Sequence, residues 1–224
     1  MDILFFAAVA FYVFWKLREQ FGKVDEGEKK QINEKISRKK EIIEAVQSQV
    51  MTVQKKLAEQ NEVQKQINEK IINALESSYQ EPFRKILTAC NISAEFFLNG
   101  TKSTFEMVLK AFSSADLQGL KLLLSDKIYA GFEQAITQRK SEEKTLVSNL
   151  ISVDKAEIVS VSLLNNTALV AIKFVSNQIN YIADKTGQII EGKKDEIKEL
   201  TDVWTFKKDI VANNKNWVIS STQN

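Results

Sequence analysis

The chain has 224 residues, enough for one domain of ordinary size plus appendages, and its net charge of +2 does not indicate a nucleic-acid partner. It contains no histidine, which removes the commonest general base and a common zinc ligand, and we expect neither a metal site nor a cofactor. The single cysteine, Cys90, excludes an intrachain disulfide, and its apolar neighbours predict a small buried side chain rather than a nucleophile.

The N-terminal segment, residues 3–15, is apolar and contains no charge, glycine or proline. As a helix it covers about 20 Å, short of the ~30 Å hydrocarbon core, but the flanking Lys16 and Arg18 can reach the headgroups. A cleaved signal peptide is disfavoured because Asp2 precedes the run and basic residues follow it. An in-plane helix is disfavoured because the run has no polar face, and a buried core helix is unusual at a terminus.

The segment therefore predicts an uncleaved, single-pass membrane anchor within residues 1–20. The apolar side chains that form it are Ile3, Leu4, Phe5, Phe6, Val9, Phe11, Val13, Phe14 and Trp15. Lys16, Arg18 and Lys23 follow the run, and such an excess of basic residues marks the cytoplasmic flank of a membrane helix. We expect the rest of the chain on the cytoplasmic side of a bacterial inner membrane, or on the matrix side in a mitochondrion.

Residues 21–81 form a charged, glutamine-rich tract that predicts a long helical spacer. Apolar residues recur at heptad spacing, which is typical of a coiled-coil seam. The two seam positions are Ile36, Ile43, Val50, Leu57 and Ile71, and Val46, Val53, Ile67 and Ala74. Polar Lys39, Gln60 and Gln64 interrupt the seam. The pattern is compatible both with self-association and with a solvated single helix.

Pro82, the only proline, predicts the boundary of a third region, residues 82–224, because proline is favoured in the first turn of a helix. Ser93 is expected to cap a helix that continues to about Phe112. Asp116 is expected to cap a shorter helix that ends near Leu124, and another helix is expected to start at Ser125 or Asp126.

The pattern then changes to short runs rich in β-branched residues. The predicted strands are residues 156–163, 168–175, 188–191, 202–208 and 216–220, with 179–183 continuing or pairing after a polar break. Asn165 and Asn166 are expected to form a hairpin turn, and residues 184–187 another. Helices followed by a strand meander predict an α+β fold, with the helices covering one face of a curved antiparallel sheet.

The third region resembles the Tim44-like domain family. The residues that carry the resemblance are Phe105–Glu106, Ala111–Phe112, Leu122–Ser125, Ile128–Tyr129, Phe132, Ala135–Ile136, Arg139, Ala156–Ile158, Phe174–Ser176, Asp184, Gly187, Gly192, Thr201–Phe206 and Asn216–Trp217. The chain departs from the usual family pattern at Thr101, Ala115 and Lys215, and these departures change turns rather than functional groups. The resemblance implies a cone-shaped fold, similar to that of nuclear transport factor two, with a hydrophobic pocket between helices and sheet.

The resemblance also implies a function. The mitochondrial relative is a scaffold on the matrix face of the inner membrane that couples the import channel to the seventy-kilodalton heat-shock chaperone and contacts cardiolipin. We therefore expect a membrane-anchored adaptor whose partners are inner-membrane lipid and a membrane protein or chaperone, with self-association through the helical tract as a further option.

The predicted pocket wall contains large apolar side chains from both layers. They are Phe112, Leu120, Leu124, Tyr129 and Phe132 from helices, and Ile172, Phe174, Trp204, Phe206 and Trp217 from strands. Each of them is equally explained as an ordinary core residue. If the pocket exists, its expected ligands are acyl chains or apolar peptide segments.

Other classes of protein also fit parts of the chain. An enzyme with the same cone-shaped fold would need a buried carboxylate and a hydrogen-bond donor, for which Asp202 and Tyr129 are the candidates. We expect instead that Asp202 caps a strand end or turn, and that the protein is not an enzyme. A stalk-type structural protein would explain the anchor and the long helix but not the strands. A periplasmic secretion-channel subunit with this fold would need the opposite topology.

Overall fold

A computed structural model describes residues 11–17, 26–212 and 216–223 of the chain. The chain divides into two compact units, residues 1–61 and 62–224. Helix α1 (Glu26–Asn73) begins in the first unit, and its last turns belong to the second. The absence of proline and glycine between residues 28 and 73 explains why this helix continues unbroken for 48 residues.

The predicted anchor lies partly outside the described residues, since Ile3, Leu4, Phe5, Phe6 and Val9 belong to residues 1–10. The remaining anchor residues, Phe11, Val13, Phe14 and Trp15, lie on a helical segment, residues 11–17, and are exposed. Within the described ranges, no helix combines the length and apolar character needed to cross a bilayer. The single-pass anchor therefore stays a prediction.

The seam of the long helix is exposed where its side chains are described. Val46, Val50, Val53 and Leu57 each expose about half of their surface. Ile67 and Ile71, nearer the end of α1, are partly covered. Self-association through this seam stays a prediction, because the structure describes one copy of the chain.

Three of the helices of the second unit, those after the first, begin close to the positions that the sequence predicts. They are α2 (Ser77–Cys90), α3 (Ala94–Ser113), α4 (Leu117–Leu123) and α5 (Asp126–Ser141). The Ser93 hydroxyl accepts a hydrogen bond from the Phe96 N–H at 3.0 Å, and Asp116 accepts one from the Gly119 N–H at 2.9 Å. Both caps are therefore confirmed. Ser125 precedes α5 but makes no capping bond with its side chain.

Pro82 does not start a helix. Helix α2 begins at Ser77, so Pro82 is an interior residue, and the predicted first-turn position is wrong. A proline there removes one backbone hydrogen bond of the helix. Phe83 and Ile86, which follow it on the same helix, are fully buried, and their burial stabilises the helix past the proline.

The strands form one antiparallel sheet. Its members are β1 (Thr145–Leu164), β2 (Thr167–Ala183), β3 (Ile189–Gly192), β4 (Lys198–Asp209) and β5 (Val218–Gln223). The order is β1-β2-β4-β5, and β3 pairs with the last residues of β2. Asn165 and Asn166 both have positive φ angles, 47° and 67°, so the predicted hairpin turn is confirmed and has the twist that two-residue hairpins need.

The core lies between the helices and one face of the sheet. Ala168, Val170, Ile172 and Phe174 alternate along β2 and are fully buried. The Phe105 ring of α3 packs on Phe174 and on Trp204, with ring centroids 4.5 Å apart in each pair. The described part of the second unit is thus an α+β fold with helices on one face of a curved antiparallel sheet, as the sequence predicts.

Candidate functional site

Among the described residues of the second unit, helices and sheet together line at least two cavities. The first, which we call the Trp217 cavity, has a volume of about 230 Å³, and its lining includes Cys90, Ile92, Phe97, Thr101, Phe206 and Trp217. The second, the Asp202 cavity, has a volume of about 300 Å³, and its lining includes Phe112, Phe132, Gln178, Asn180, Asp202 and Trp204. Both are at the lower end of the size range of small-ligand sites, or below it.

The Trp217 cavity has an aromatic wall. The Phe97 ring of α3 packs edge-on against Trp217 at 4.9 Å between centroids and against Phe206 at 6.4 Å. Cys90, at the end of α2, is half-buried, and this burial raises the pKa of its thiol, an effect that Lys208 partly opposes. A raised pKa favours the neutral thiol, but Cys90 is half-buried and lines this cavity instead of being fully buried as predicted.

The Asp202 cavity contains a buried carboxylate. Strands β2 and β4 pair without a bulge, so Asp202, Trp204 and Phe206 all face the helices. Asp202 is only 8% exposed. The expected capping or turn role is therefore wrong, because the unbroken alternation of β4 carries this residue into the interior. Burial raises the pKa of the Asp202 carboxyl, and a hydrogen bond from Trp204 acts in the opposite direction.

A chain of polar side chains on β2 continues the wall of this cavity. The Asn180 amide donates to Gln178 Oε1 at 3.1 Å, and the Gln178 amide donates to Ser176 Oγ at 2.8 Å. Ser176 and Gln178 are almost completely buried. Asn180 Oδ1 is also buried, and it has no hydrogen-bond partner among the described residues.

The predicted pocket wall is divided between the two cavities and the core. Phe112, Phe132 and Trp204 line the Asp202 cavity, whereas Phe206 and Trp217 line the Trp217 cavity. The other five do not line either cavity: Leu120, Leu124, Ile172 and Phe174 are buried in the core, and Tyr129 packs partly buried against it. Ligand binding by any of these residues stays a prediction.

Four polar residues that line the Asp202 cavity were not predicted from the sequence: Ser148, Gln178, Asn180 and Thr222. The sequence contains an indication that two of them face the interior. Gln178 and Asn180 continue the alternation of the apolar residues that precede them on β2. The sequence predicts a polar break at residues 176–178, after which 179–183 continues the strand or pairs with it, and the first alternative is confirmed because β2 runs without interruption to Ala183.

Asp202 and Tyr129, the candidate pair for an enzyme of this fold, do not line the same cavity. The Tyr129 hydroxyl donates to Glu133 at 3.1 Å on α5, and Tyr129 does not line the Asp202 cavity. Over the part of the chain that the structure describes, no cluster of three or more Asp, Glu, Cys or His side chains is placed to hold a metal ion.

Comparison with known proteins gives related sequences. The sequence pattern of the Tim44-like domain matches residues 88–224. The probable mitochondrial import inner membrane translocase subunit tin-44 of Caenorhabditis elegans is 23% identical over 104 residues, which cover 46% of this chain but only 24% of that protein. The uncharacterized protein RP434 of Rickettsia prowazekii is 23% identical over 231 residues, which cover 100% of this chain and 97% of that protein.

Among solved structures, the intermembrane-space region of the chloroplast protein ARC6 aligns with a TM-score of 0.42 and 12% identity, over 56% of this chain and 94% of that one.

The Tim44-like pattern spans more than half of the chain and includes the strands and both cavities described above. The chain therefore belongs to the Tim44-like domain family.

Proposed function

We propose that the protein is a membrane-tethered adaptor related to protein import, whose Tim44-like domain binds a partner protein. The observation that carries this proposal is the family match over residues 88–224. The C. elegans relative supports the link to import, since its name is that of a translocase subunit of the mitochondrial inner membrane.

The tether in this proposal is the N-terminal apolar segment. Phe11, Tyr12, Phe14 and Trp15 are all exposed, so this short stretch presents a dense aromatic surface. The Lys16 ammonium group lies over the Tyr12 ring, 5.7 Å from its centroid. Aromatic and basic side chains in this arrangement are typical of the boundary between lipid and water. The proposed location is the inner membrane, with the domain on the cytoplasmic or matrix side.

The partner site in this proposal is the Trp217 cavity. Phe96 is 66% exposed and lies at this cavity beside the buried Phe97. An exposed aromatic side chain next to an apolar cavity is a suitable anchor for an apolar segment of a partner, and an acyl chain would make similar contacts.

The end of the long helix is firmly attached to the domain. Within residues 62–224, Glu69 of α1 forms an ion pair with Arg84 of α2, and Asn68 accepts a hydrogen bond from the Ala94 N–H at 2.9 Å. Gln64 also donates to Glu95 at 3.2 Å. We infer that residues 62–73 form part of the binding domain, and that only the earlier part of α1 acts as a spacer or self-association surface.

The first test is membrane association of the full chain. We expect it to resist carbonate extraction and to become extractable when residues 2–17 are deleted. Replacing Lys16 with Gln serves as the control, because it keeps the apolar run and should leave the protein in the membrane. Carbonate-resistant association of the deletion variant would contradict the proposed tether.

The second test is crosslinking in cells with a photoreactive residue at position 96. We expect adducts that mass spectrometry identifies as an inner-membrane protein or a heat-shock chaperone. A photoreactive residue at Leu122 is the control, because Leu122 is 75% exposed but lines neither cavity. If position 96 gave no such adduct while the protein turned over a small substrate, the enzyme alternative would replace the adaptor.

A further inference from the structure

We propose that the Asp202 cavity is a binding site for a primary ammonium group carried on a short apolar stem. The proposed adaptor function uses the Trp217 cavity and assigns no ligand to the Asp202 cavity. The ammonium proposal rests on the binding role of the domain but not on the membrane tether or on the Trp217 cavity.

The charged group of this cavity, the Asp202 carboxylate, accepts hydrogen bonds and does not donate them when ionised. The amide groups of Asn180 and Gln178 each place one N–H on an acceptor within the strand, Gln178 Oε1 and Ser176 Oγ, and each keeps a second N–H. The oxygen Asn180 Oδ1 is left buried without a partner among the described residues. Asp202 contributes further acceptor oxygens to the same lining. A ligand that supplies N–H groups can donate to the Asp202 carboxylate, whereas a ligand with only acceptors cannot.

The charge of the cavity favours a cation among the possible donors. Among the described residues, Asp202 is the only ionisable one in the lining, and none of their ion pairs includes it. The Arg139 guanidinium lies over the Phe112 ring at 5.1 Å, but it donates to the Phe112 carbonyl and does not line the cavity. A buried carboxylate without a cation is costly, and a bound ammonium group would supply the missing charge.

The remaining wall of the cavity fits an apolar stem with a cationic end. Val108, Leu109, Phe112 and Phe132 come from α3 and α5, and Trp204 comes from β4 beside Asp202. The rings of Phe112 and Phe132 meet edge to face at 5.0 Å and form an apolar wall. An indole ring is the best aromatic partner for a cation, and Trp204 lies two residues from the carboxylate on the same strand face.

Two sources could supply this chemistry, a free alkylamine or a lysine side chain of an apolar peptide. Both place an ammonium group at the end of a chain of methylene groups. The volume of about 300 Å³ admits only a small ligand or one side chain. The binding experiment is therefore designed with one arm for each source.

The first arm measures binding of hexylammonium and of hexanol to the purified full-length protein by titration calorimetry. We expect hexylammonium to bind about tenfold more tightly or better, because a hydrogen bond to a charged group is stronger than one between neutral groups. This preference should persist in high salt, since a buried pair is screened less than a surface pair. Equal binding of the two compounds in this arm, together with no preference for lysine in the peptide arm, would overturn the proposal.

The second arm compares a peptide that has one lysine among apolar residues with the same peptide carrying norleucine. Binding of hexylammonium identifies a free amine as a sufficient ligand, and binding of only the lysine peptide identifies a side chain. Either result supports the proposal, and the absence of both would overturn it. Crosslinking from position 96 tests a different cavity, so failure here is distinguishable from failure of the adaptor function.

The variant that isolates the charge is Asp202→Asn, which keeps the shape of the side chain. We expect it to lose the preference for the ammonium compound over its neutral counterpart. The matched control is Glu199→Gln, which removes a negative charge from an exposed position on the same strand and should keep the preference. Retention of the preference by Asp202→Asn would overturn the assignment, and the comparison of the two compounds on the unaltered protein is independent of how the variant folds.

Discussion

On the side of β2 that faces the helices, every second residue is buried along much of the strand. One end of this face buries apolar side chains, and the other end buries polar ones. Val170, Ile172 and Phe174 are apolar and fully buried, whereas Ser176 and Gln178, the next two residues on this face, are polar and equally buried. Burial of an apolar side chain contributes about 1.5–3 kcal/mol, whereas a buried, hydrogen-bonded polar group contributes roughly 1 kcal/mol net. The polar end therefore adds little stability for the volume that it occupies.

The neighbouring strand β4 has one buried polar residue, Asp202, on the same face of the sheet. Phe206 lies opposite Val170 at the apolar end, and Asp202 lies opposite Phe174, where the polar end begins. Trp204 stands between them and lines the Asp202 cavity. The next residue on this face of β4 beyond Asp202, Leu200, is apolar and lies opposite Ser176, so β4 contributes one buried polar residue to this face where β2 contributes Ser176 and Gln178. The apolar end stabilises the fold through burial, and the polar end contains the site that we propose for an ammonium group.

The largest effect is expected at the apolar end, on replacing Phe105 with Ala. Phe105 is fully buried and packs on both Phe174 and Trp204. Its truncation should lower the free energy of unfolding by about 3–5 kcal/mol, because it removes apolar contacts and leaves a cavity. Chemical denaturation followed by circular dichroism measures this loss.

The matched control is Phe96→Ala on the same helix. Phe96 is 66% exposed, so its removal should change the free energy of unfolding by about 0.5 kcal/mol or less. Similar losses for the two variants would show that the apolar end of the sheet is not the main source of stability.

The same comparison explains which parts of the fold were predictable. The helix caps at Ser93 and Asp116 and the turn at Asn165 and Asn166 are local features, and the sequence predicts each of them correctly. The first part of β1, residues 145–155, was missed. Register shifts near Ser152, Lys155 and Ser160 break its regular alternation, so the period-two pattern is lost although the strand continues.

The candidate site was only partly predictable for a related reason. Phe112, Phe132 and Trp204 were identified as wall residues because large apolar residues near predicted helices and strands are easy to find. Gln178 and Asn180 were not, because a polar residue in a strand pattern normally indicates an exposed face or a break. Their burial depends on tertiary packing against α3 and α5, which the local pattern does not encode.

A smaller effect is expected at the polar end, on replacing Gln178 with Leu. Leucine has a similar size but leaves the Ser176 hydroxyl without its donor and the Asn180 amide without its acceptor. The free energy of unfolding should fall by about 1–3 kcal/mol, the usual cost of unpaired buried polar groups. Urea denaturation followed by circular dichroism measures this change in the free energy of unfolding.

The double variant Ser176→Ala, Gln178→Leu sharpens this test. Alanine removes the buried hydroxyl that the single variant leaves unpaired, so the double variant should recover part of the lost stability. If the double variant were instead less stable than Gln178→Leu alone, the polar chain would not act as a hydrogen-bonded unit.

The smallest effect is a dependence of stability on pH that Asp202→Asn should remove. Burial raises the pKa of Asp202 in the folded protein above its ordinary value of 3.8. Between these two pKa values the folded state keeps a proton that the unfolded state has lost, so the free energy of unfolding falls as pH rises through this window.

Asparagine cannot ionise, so the stability of Asp202→Asn relative to the unaltered protein should increase as pH rises from below 3.8 and become constant above the folded-state pKa of Asp202. Other acidic groups are present in both proteins, and their contributions cancel in the difference. Urea denaturation of both proteins at a series of pH values measures this difference directly. A difference that does not change with pH would show that the Asp202 carboxylate is solvated in the folded protein, and the contrast between the two ends of the sheet would then lose its electrostatic component.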